Sequence, residues 1–102
     1  MELNQIRQQI DQIDTKIAEL FLQRMQCTAA VAQYKHKNGM RIRDEERNNQ
    51  IKSHASDIVG EDLAPYVRRL YDEILNISRD YQREVMIQVD IETLPPEEHH
   101  SI

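Results

Sequence analysis

The chain has 102 residues, a formal net charge of −5 and a hydrophobic content of 39%, which is low for a self-sufficient monomer. Only 2 glycines and 3 prolines interrupt it, and this favours helices over a sandwich or barrel. An acidic chain is a poor nucleic-acid binder, and the sequence carries neither a membrane-spanning apolar run nor a secretory signal. We expect one all-α domain whose long amphipathic helix pairs with a second copy.

The first helix is predicted from about Asn4 to about Asn38, where Asn38-Gly39 is a stop signal. Its apolar residues recur at alternating steps of three and four positions, which is the heptad pattern of a helix packed along another helix. At about 1.5 Å per residue the helix is about 50 Å long, too long to fold back within one small globule. The heptad seam consists of Leu3, Ile6, Ile10, Ile13, Ile17, Leu20, Arg24, Cys27, Val31 and Tyr34.

Arg24 places a charge within this otherwise apolar seam. A guanidinium keeps its proton and is costly to bury without a counter-charge. No acidic residue within one turn shares its stripe, so either another segment supplies a carboxylate or the missing anion is a ligand. Lys35 lies close to three turns further on and points to the same side. Two cations on one partly buried face are tolerated where an anion lies between them.

Arg7 is a third basic residue at an equivalent heptad position, about 40 Å from Lys35 along one helix. In an antiparallel pair of first helices centred near Ala18, Arg7 of one copy would lie beside Arg24 and Lys35 of the other. Taken alone, Arg7 could equally be a solvated surface arginine and Lys35 a snorkelling lysine near a helix end.

The second helix is predicted from near Asp44 to near Val59-Gly60. Asp44, Arg47 and Asn48 share one face at positions i, i+3 and i+4. An N-cap combined with an i,i+3 ion pair would explain this face as well as a binding role would.

The third helix is predicted from Asp62, with Pro65 in its first turn, to about Val89. Ser78 and Gln82 form an i,i+4 pair beside its apolar stripe, where a hydroxyl and an amide need hydrogen-bond partners. They could also be ordinary boundary residues. The expected stripe is Leu63, Val67, Leu70, Ile74, Ile77, Tyr81 and Val85.

We divide the chain into a helical domain over residues 1–89 and an irregular acidic tail over 90–102. The lone Cys27 excludes an internal disulfide, fits the reduced cytoplasm and is expected to be a small buried core residue. The 4 histidines lack metal-ligand spacing, so no metal site is predicted. The sequence also lacks a phosphate-binding glycine loop and a catalytic triad.

Several polar segments occur on the three predicted helices in a specific order. They are Arg7-x-x-Ile10-Asp11-x-x-Asp14, Arg24, Lys35, Ile42-Arg43-Asp44-x-x-Arg47 and Ser78-x-x-x-Gln82. Together they resemble the all-helical, AroQ-type chorismate mutases over about residues 3–88. The resemblance implies an intertwined homodimer of three-helix subunits. It also implies conversion of chorismate to prephenate, in phenylalanine and tyrosine biosynthesis, without a cofactor.

The resemblance implies that arginines clamp the two carboxylates of chorismate. Arg24 and Arg47 of one subunit would act with Arg7 of the other subunit. Ser78 would help to bind a carboxylate.

The resemblance also implies that Lys35 and Gln82 hydrogen-bond the ether oxygen of the breaking bond, which makes them catalytic residues together with Arg24. Asp44 and Asn48 would hold the ring hydroxyl. The family usually has glutamate where this chain has Asn48, so recognition of the hydroxyl is expected to be weaker or altered.

Two alternatives stay open. Isochorismate-pyruvate lyases resemble the same scaffold, and Asn48 favours them, whereas Asp44 and Ser78 favour a mutase. The second alternative is a mutase-like dimerisation or regulatory module without activity, in which the polar residues are scattered and solvated.

Overall fold

A computed structural model describes residues 1–94, which form three α-helices and, within that range, no strand. The helices are α1 (Leu3–Lys37), α2 (Glu45–Val59) and α3 (Ala64–Thr93). The prediction of an all-α chain with one long, one short and one long helix is therefore confirmed.

Helix α1 has defined signals at both ends. At its start, the Glu2 backbone N–H donates to Oε1 of Gln5 over 3.0 Å. At its end, Nδ2 of Asn38 donates to the Tyr34 carbonyl over 2.8 Å, and Gly39 has a φ of +63°. Only glycine adopts this backbone conformation without strain, so the predicted stop at Asn38-Gly39 has a physical basis.

Helix α2 begins with the predicted cap. Oδ1 of Asp44 accepts the backbone N–H of Arg47 over 3.0 Å, and Glu45 and Glu46 in the first turn favour the positive end of the helix dipole. The ion pair considered between Asp44 and Arg47 is not among those formed within residues 1–94.

Helix α3 is longer than expected, because residues 90–93, assigned to the irregular tail, are helical. His36 on α1 contacts Asp90 across 2.6 Å, and this ties the end of α3 to the end of α1. Leu94 is extended, as steric crowding before a proline requires, and Pro95 follows it in the sequence. The remainder of the predicted tail, 95–102, lies outside the described residues.

Helix α3 packs against both α1 and α2 and buries few apolar side chains. Among residues 1–94 the buried apolar residues are Ala32, Ala55 and Leu75, and no large side chain there is fully buried. The expected apolar stripe of the third helix is partly wrong, because Leu63, Leu70 and Ile77 are exposed. The buried face of α3 instead carries Leu75 together with two polar residues, Ser78 and Gln82.

The heptad seam of α1 is uncovered over most of its length. From Ile6 to Leu20 its apolar side chains are 39% to 61% exposed. The Cα radius of gyration is 18.3 Å, whereas about 13 Å is usual for a compact chain of this length. One copy of the chain therefore leaves a long apolar face open to solvent.

Candidate active site

A cavity of about 410 Å³ lies where the second half of α1, the start of α2 and the middle of α3 meet. Seven of the eight residues proposed from the sequence as a site line this cavity. They are Arg24, Lys35, Asp44, Arg47, Asn48, Ser78 and Gln82.

The cavity is strongly cationic although the whole chain is acidic. Its lining contains the side chains of Arg24, Lys35, Arg47 and Arg79 but only one carboxylate, that of Asp44. The carboxylate also caps α2, so the local charge is positive in a chain of net charge −5. Such a cavity favours anionic ligands over neutral or cationic ones.

Arg24 reaches from α1 to α3. Its Nη1 atom donates to the hydroxyl of Ser78 over 2.6 Å, and that hydroxyl donates to the Ile74 carbonyl over 2.8 Å. The backbone carbonyl of Arg24 accepts a hydrogen bond from the hydroxyl of Thr28, one turn further along α1, over 2.9 Å. Within the described range no carboxylate forms an ion pair with Arg24, so the seam's missing counter-charge is not supplied by another segment of residues 1–94.

Lys35 is half-buried at the C-terminal end of α1. Its Nζ atom donates to the backbone carbonyl of Ile42 over 2.7 Å, in the loop that leads to α2. An ammonium group has three donors, so this bond orients the group towards the cavity while leaving donors for a ligand.

The first turn of α2 brings Asp44, Arg47 and Asn48 to the cavity on one face. One oxygen of Asp44 accepts the cap hydrogen bond, which leaves its second oxygen available. The Arg47 side chain is exposed, and that of Asn48 is half-buried.

Gln82 is 8% exposed, and its Oε1 atom is buried without a hydrogen-bond partner in the described chain. An unpaired buried acceptor of this kind costs about 1–3 kcal/mol. Because buried polar groups in folded proteins are nearly always paired, this one is typical of a site that another molecule completes.

One residue named from the sequence, Arg7, lies outside the cavity, and another, Cys27, borders the cavity instead of lying in the core. Arg7 does not line the cavity, since it lies about 25 Å from Arg24 along α1. Cys27, expected in the core, is exposed and borders the cavity. Its exposure has a simple cause, because no described segment covers the seam on which it lies.

Arg79 lines the cavity but was not proposed from the sequence. It lies four residues after Leu75 and three before Gln82, so helical spacing could have placed it on the same face of α3. The sequence signal was weak because an arginine on a mostly exposed helix is ordinary.

The described residues contain neither a metal-binding cluster nor a helix suited to a membrane. Among residues 1–94, no group of three or more His, Cys, Asp or Glu side chains is placed to bind a metal ion. None of the helices described above is long and apolar enough to cross a bilayer.

The cavity therefore combines fixed cations with buried polar groups, and it can hold a small anion and donate hydrogen bonds to it. Comparison with protein families gives a match to the family described as chorismate mutase type II over residues 6–83. Searches of curated proteins and of solved structures gave no match. The family match spans well over half of the chain and includes every cavity residue discussed above. The chain belongs to the type II chorismate mutase family, whose membership implies chorismate mutase activity.

Proposed function

We propose that this protein catalyses the rearrangement of chorismate to prephenate, in the biosynthesis of phenylalanine and tyrosine. The observation that carries the proposal is the meeting of Arg24, Lys35, Arg47 and Gln82 around one cavity. Chorismate carries two carboxylates, and its ether oxygen gains negative charge as its bond to carbon breaks. A cationic cavity with additional hydrogen-bond donors matches both features.

The reaction is intramolecular: one carbon–oxygen bond breaks while one carbon–carbon bond forms. It needs no nucleophile, no proton transfer and no cofactor. The protein has to hold the substrate in a compact, chair-like conformer in which the two carbon atoms that form the new bond are close together. It also has to bind the charge that develops on the ether oxygen more strongly than it binds the ground state.

In this proposal the carboxylates are bound by arginines. Arg24 is held in place by the Ser78 hydroxyl, so its guanidinium does not have to be ordered when substrate binds. Arg47, on α2, also lines the cavity. A guanidinium can bind a carboxylate through two parallel hydrogen bonds, which fixes orientation as well as charge.

Lys35 and Gln82 hydrogen-bond the ether oxygen. Lys35 supplies a positive charge and has donors left after its bond to Ile42. Gln82 supplies a neutral N–H donor from the buried face of α3. A donor fixed before the reaction costs no reorganisation in the transition state, and removal of one such donor typically costs about 3–4 kcal/mol of barrier.

The ring hydroxyl is held by Asp44 and Asn48. The free oxygen of the Asp44 carboxylate accepts its proton, and Asn48 can either accept from or donate to a hydroxyl.

We further propose that the protein is a homodimer and that Arg7 enters the cavity of the partner subunit. The exposed heptad seam on α1 supports this, because a monomer would leave about six large apolar side chains in water. In an antiparallel arrangement centred near Ala18, the N-terminal part of one α1 lies beside the cavity of the other copy. Because the free thiol of Cys27 fits a reducing compartment, we propose a cytoplasmic location.

Asn48 favours a second candidate, isochorismate-pyruvate lyase activity in the same cavity. A neutral amide differs from a carboxylate in how it recognises a hydroxyl, and the two substrates differ in the position of that group. The test is to incubate the full chain separately with chorismate and with isochorismate and to identify the products by chromatography. Prephenate from chorismate supports the mutase, whereas pyruvate from isochorismate without prephenate from chorismate would establish the lyase instead.

A further inference from the structure

Arg79 is a fourth cation of the cavity, and the carboxylate clamp proposed above does not use it. On α3 it precedes Gln82 by three residues and so shares its face, and both side chains border the cavity together with that of Ser78. The residue is half-buried, unlike the exposed Arg83 one turn further on. A partly desolvated guanidinium in a cavity needs an explanation.

Nearby carboxylates do not explain Arg79. A shallow groove beside the cavity contains Arg79 together with two acidic residues. One of them, Glu45, pairs with Arg43, and the other, Asp72, pairs with Lys52 across 3.0 Å. Both carboxylates therefore already have cationic partners.

The guanidinium of Arg79 has one neutral partner, since Nη2 donates to the side-chain oxygen of Asn76. It takes part in no ion pair between residues of the described helices and loops. Asn48, which borders both the cavity and the groove as Arg79 does, is also neutral. Arg79 thus has no carboxylate paired with it, and the carboxylate that lines the cavity, that of Asp44, already caps α2.

We propose that Arg79 is a further substrate-binding residue, which binds an anionic group of the substrate on the side of the cavity that Asn48 lines. The identity of that substrate rests on the proposed function, whereas anion binding by Arg79 does not. The carboxylates of chorismate keep their charge throughout the rearrangement. An ionic contact to them is therefore equally strong in the ground state and the transition state, and it lowers KM without raising kcat.

The test compares Arg79→Gln and Arg79→Lys with a matched control, Arg83→Gln. Arg83 lies on the same helix but is exposed and paired with Asp80 at 3.0 Å. We expect Arg79→Gln to raise KM for chorismate about tenfold while kcat changes less than about twofold. Arg79→Lys should recover most of the affinity, and Arg83→Gln should behave as wild type.

A stability measurement separates binding from a structural role. Because Arg79→Gln removes an unneutralised half-buried charge, its thermal unfolding midpoint should equal or exceed that of Arg83→Gln. An unchanged KM in Arg79→Gln, or an equal rise in Arg83→Gln, would overturn the proposal. So would a lowered midpoint together with a loss confined to kcat.

A second measurement does not depend on turnover. Malonate, a simple dicarboxylate, is titrated into each variant and its affinity is measured from the NMR shifts of the arginine side chains. If the wild type does not convert chorismate, the proposed function fails. The role of Arg79 then stands only if Arg79→Gln, and not Arg83→Gln, weakens malonate binding about tenfold. Equal affinity in all variants, or no binding of malonate to the wild type, would contradict it.

Discussion

Arg24 donates a hydrogen bond to the Ser78 hydroxyl over 2.6 Å, and this bond joins α1 to α3 at the wall of the cavity. The Ser78 hydroxyl can accept from Arg24 while it donates to the Ile74 carbonyl. An arginine that interrupts a heptad seam on one helix is thus oriented by a small polar residue on the buried face of another.

Loss of this bond should weaken catalysis more than folding. Ser78→Ala is expected to lower kcat/KM for chorismate about 10- to 100-fold, because a hydrogen bond to a charged group contributes about 1.5–3 kcal/mol. The matched control is Ser56→Ala on α2, which removes a half-buried hydroxyl that also bonds to a backbone carbonyl, that of Lys52, over 2.8 Å. Steady-state kinetics of both variants would count against this role if their losses were the same.

Substitution of Lys35 tests whether the cavity is catalytic. Lys35→Ala should lower kcat at least about 100-fold, because it removes the charged donor proposed for the ether oxygen. Lys37→Ala is the control, since Lys37 is an exposed cation in the same last turn of α1. Turnover that survives in Lys35→Ala would favour a mutase-like module in which these polar residues have no catalytic role.

Gln82 should show a trade-off between stability and activity. Gln82→Leu removes the buried acceptor that has no partner, so the free energy of unfolding should rise by about 1 kcal/mol. The same change should lower kcat at least about 100-fold, because the neutral donor is lost. Chemical denaturation and kinetics are compared with Gln88→Leu, an exposed position on α3. A destabilised but fully active Gln82→Leu variant would refute this account of Gln82.

The course of the backbone could be predicted from local signals. The start of α2 follows from Asp44 as a cap, and the end of α1 follows from Asn38-Gly39. The end of α3 could not, because Asp90 has no helix-stabilising pattern of its own. Its helical position involves a contact with His36, more than 50 residues earlier, which no local rule contains.

Burial was harder to predict than helix boundaries. The apolar stripe on the third helix was expected to face the protein core. Ile77, a member of the stripe, is exposed, whereas the polar residues Ser78 and Gln82 are buried. This expectation is wrong because the inner face of α3 borders a polar cavity rather than a packed core. For the same reason the stripe gave no indication that Arg79, adjacent to Ser78, lines the cavity.

If the exposed seam of α1 is the subunit interface, a charge introduced into the seam should weaken the dimer. Ile13→Glu should raise the dimer dissociation constant more than about 100-fold, because a carboxylate buried without a partner costs several kcal/mol. Gln12→Glu adds the same charge at the neighbouring position, off the seam, and should leave the dimer intact. Analytical ultracentrifugation distinguishes the two variants. If Ile13→Glu sedimented as wild type does, the seam would not be the subunit interface.

A mixture of two inactive variants tests the shared cavity and its chemistry together. Arg7→Ala and Arg24→Ala are each expected to lose at least about 100-fold in kcat/KM for prephenate formation, because each removes one carboxylate-binding arginine from both sites. In a mixed dimer, one cavity lacks both arginines and the other has both.

The decisive measurement is therefore prephenate formation after the two variants are unfolded together and refolded at equal concentrations. We expect recovery to about one quarter of wild-type activity, because about half of the dimers are mixed and each contains one intact site of two. Activity that remained at the sum of the two separately refolded variants, while ultracentrifugation showed dimers, would contradict a cavity completed by Arg7 of the partner subunit.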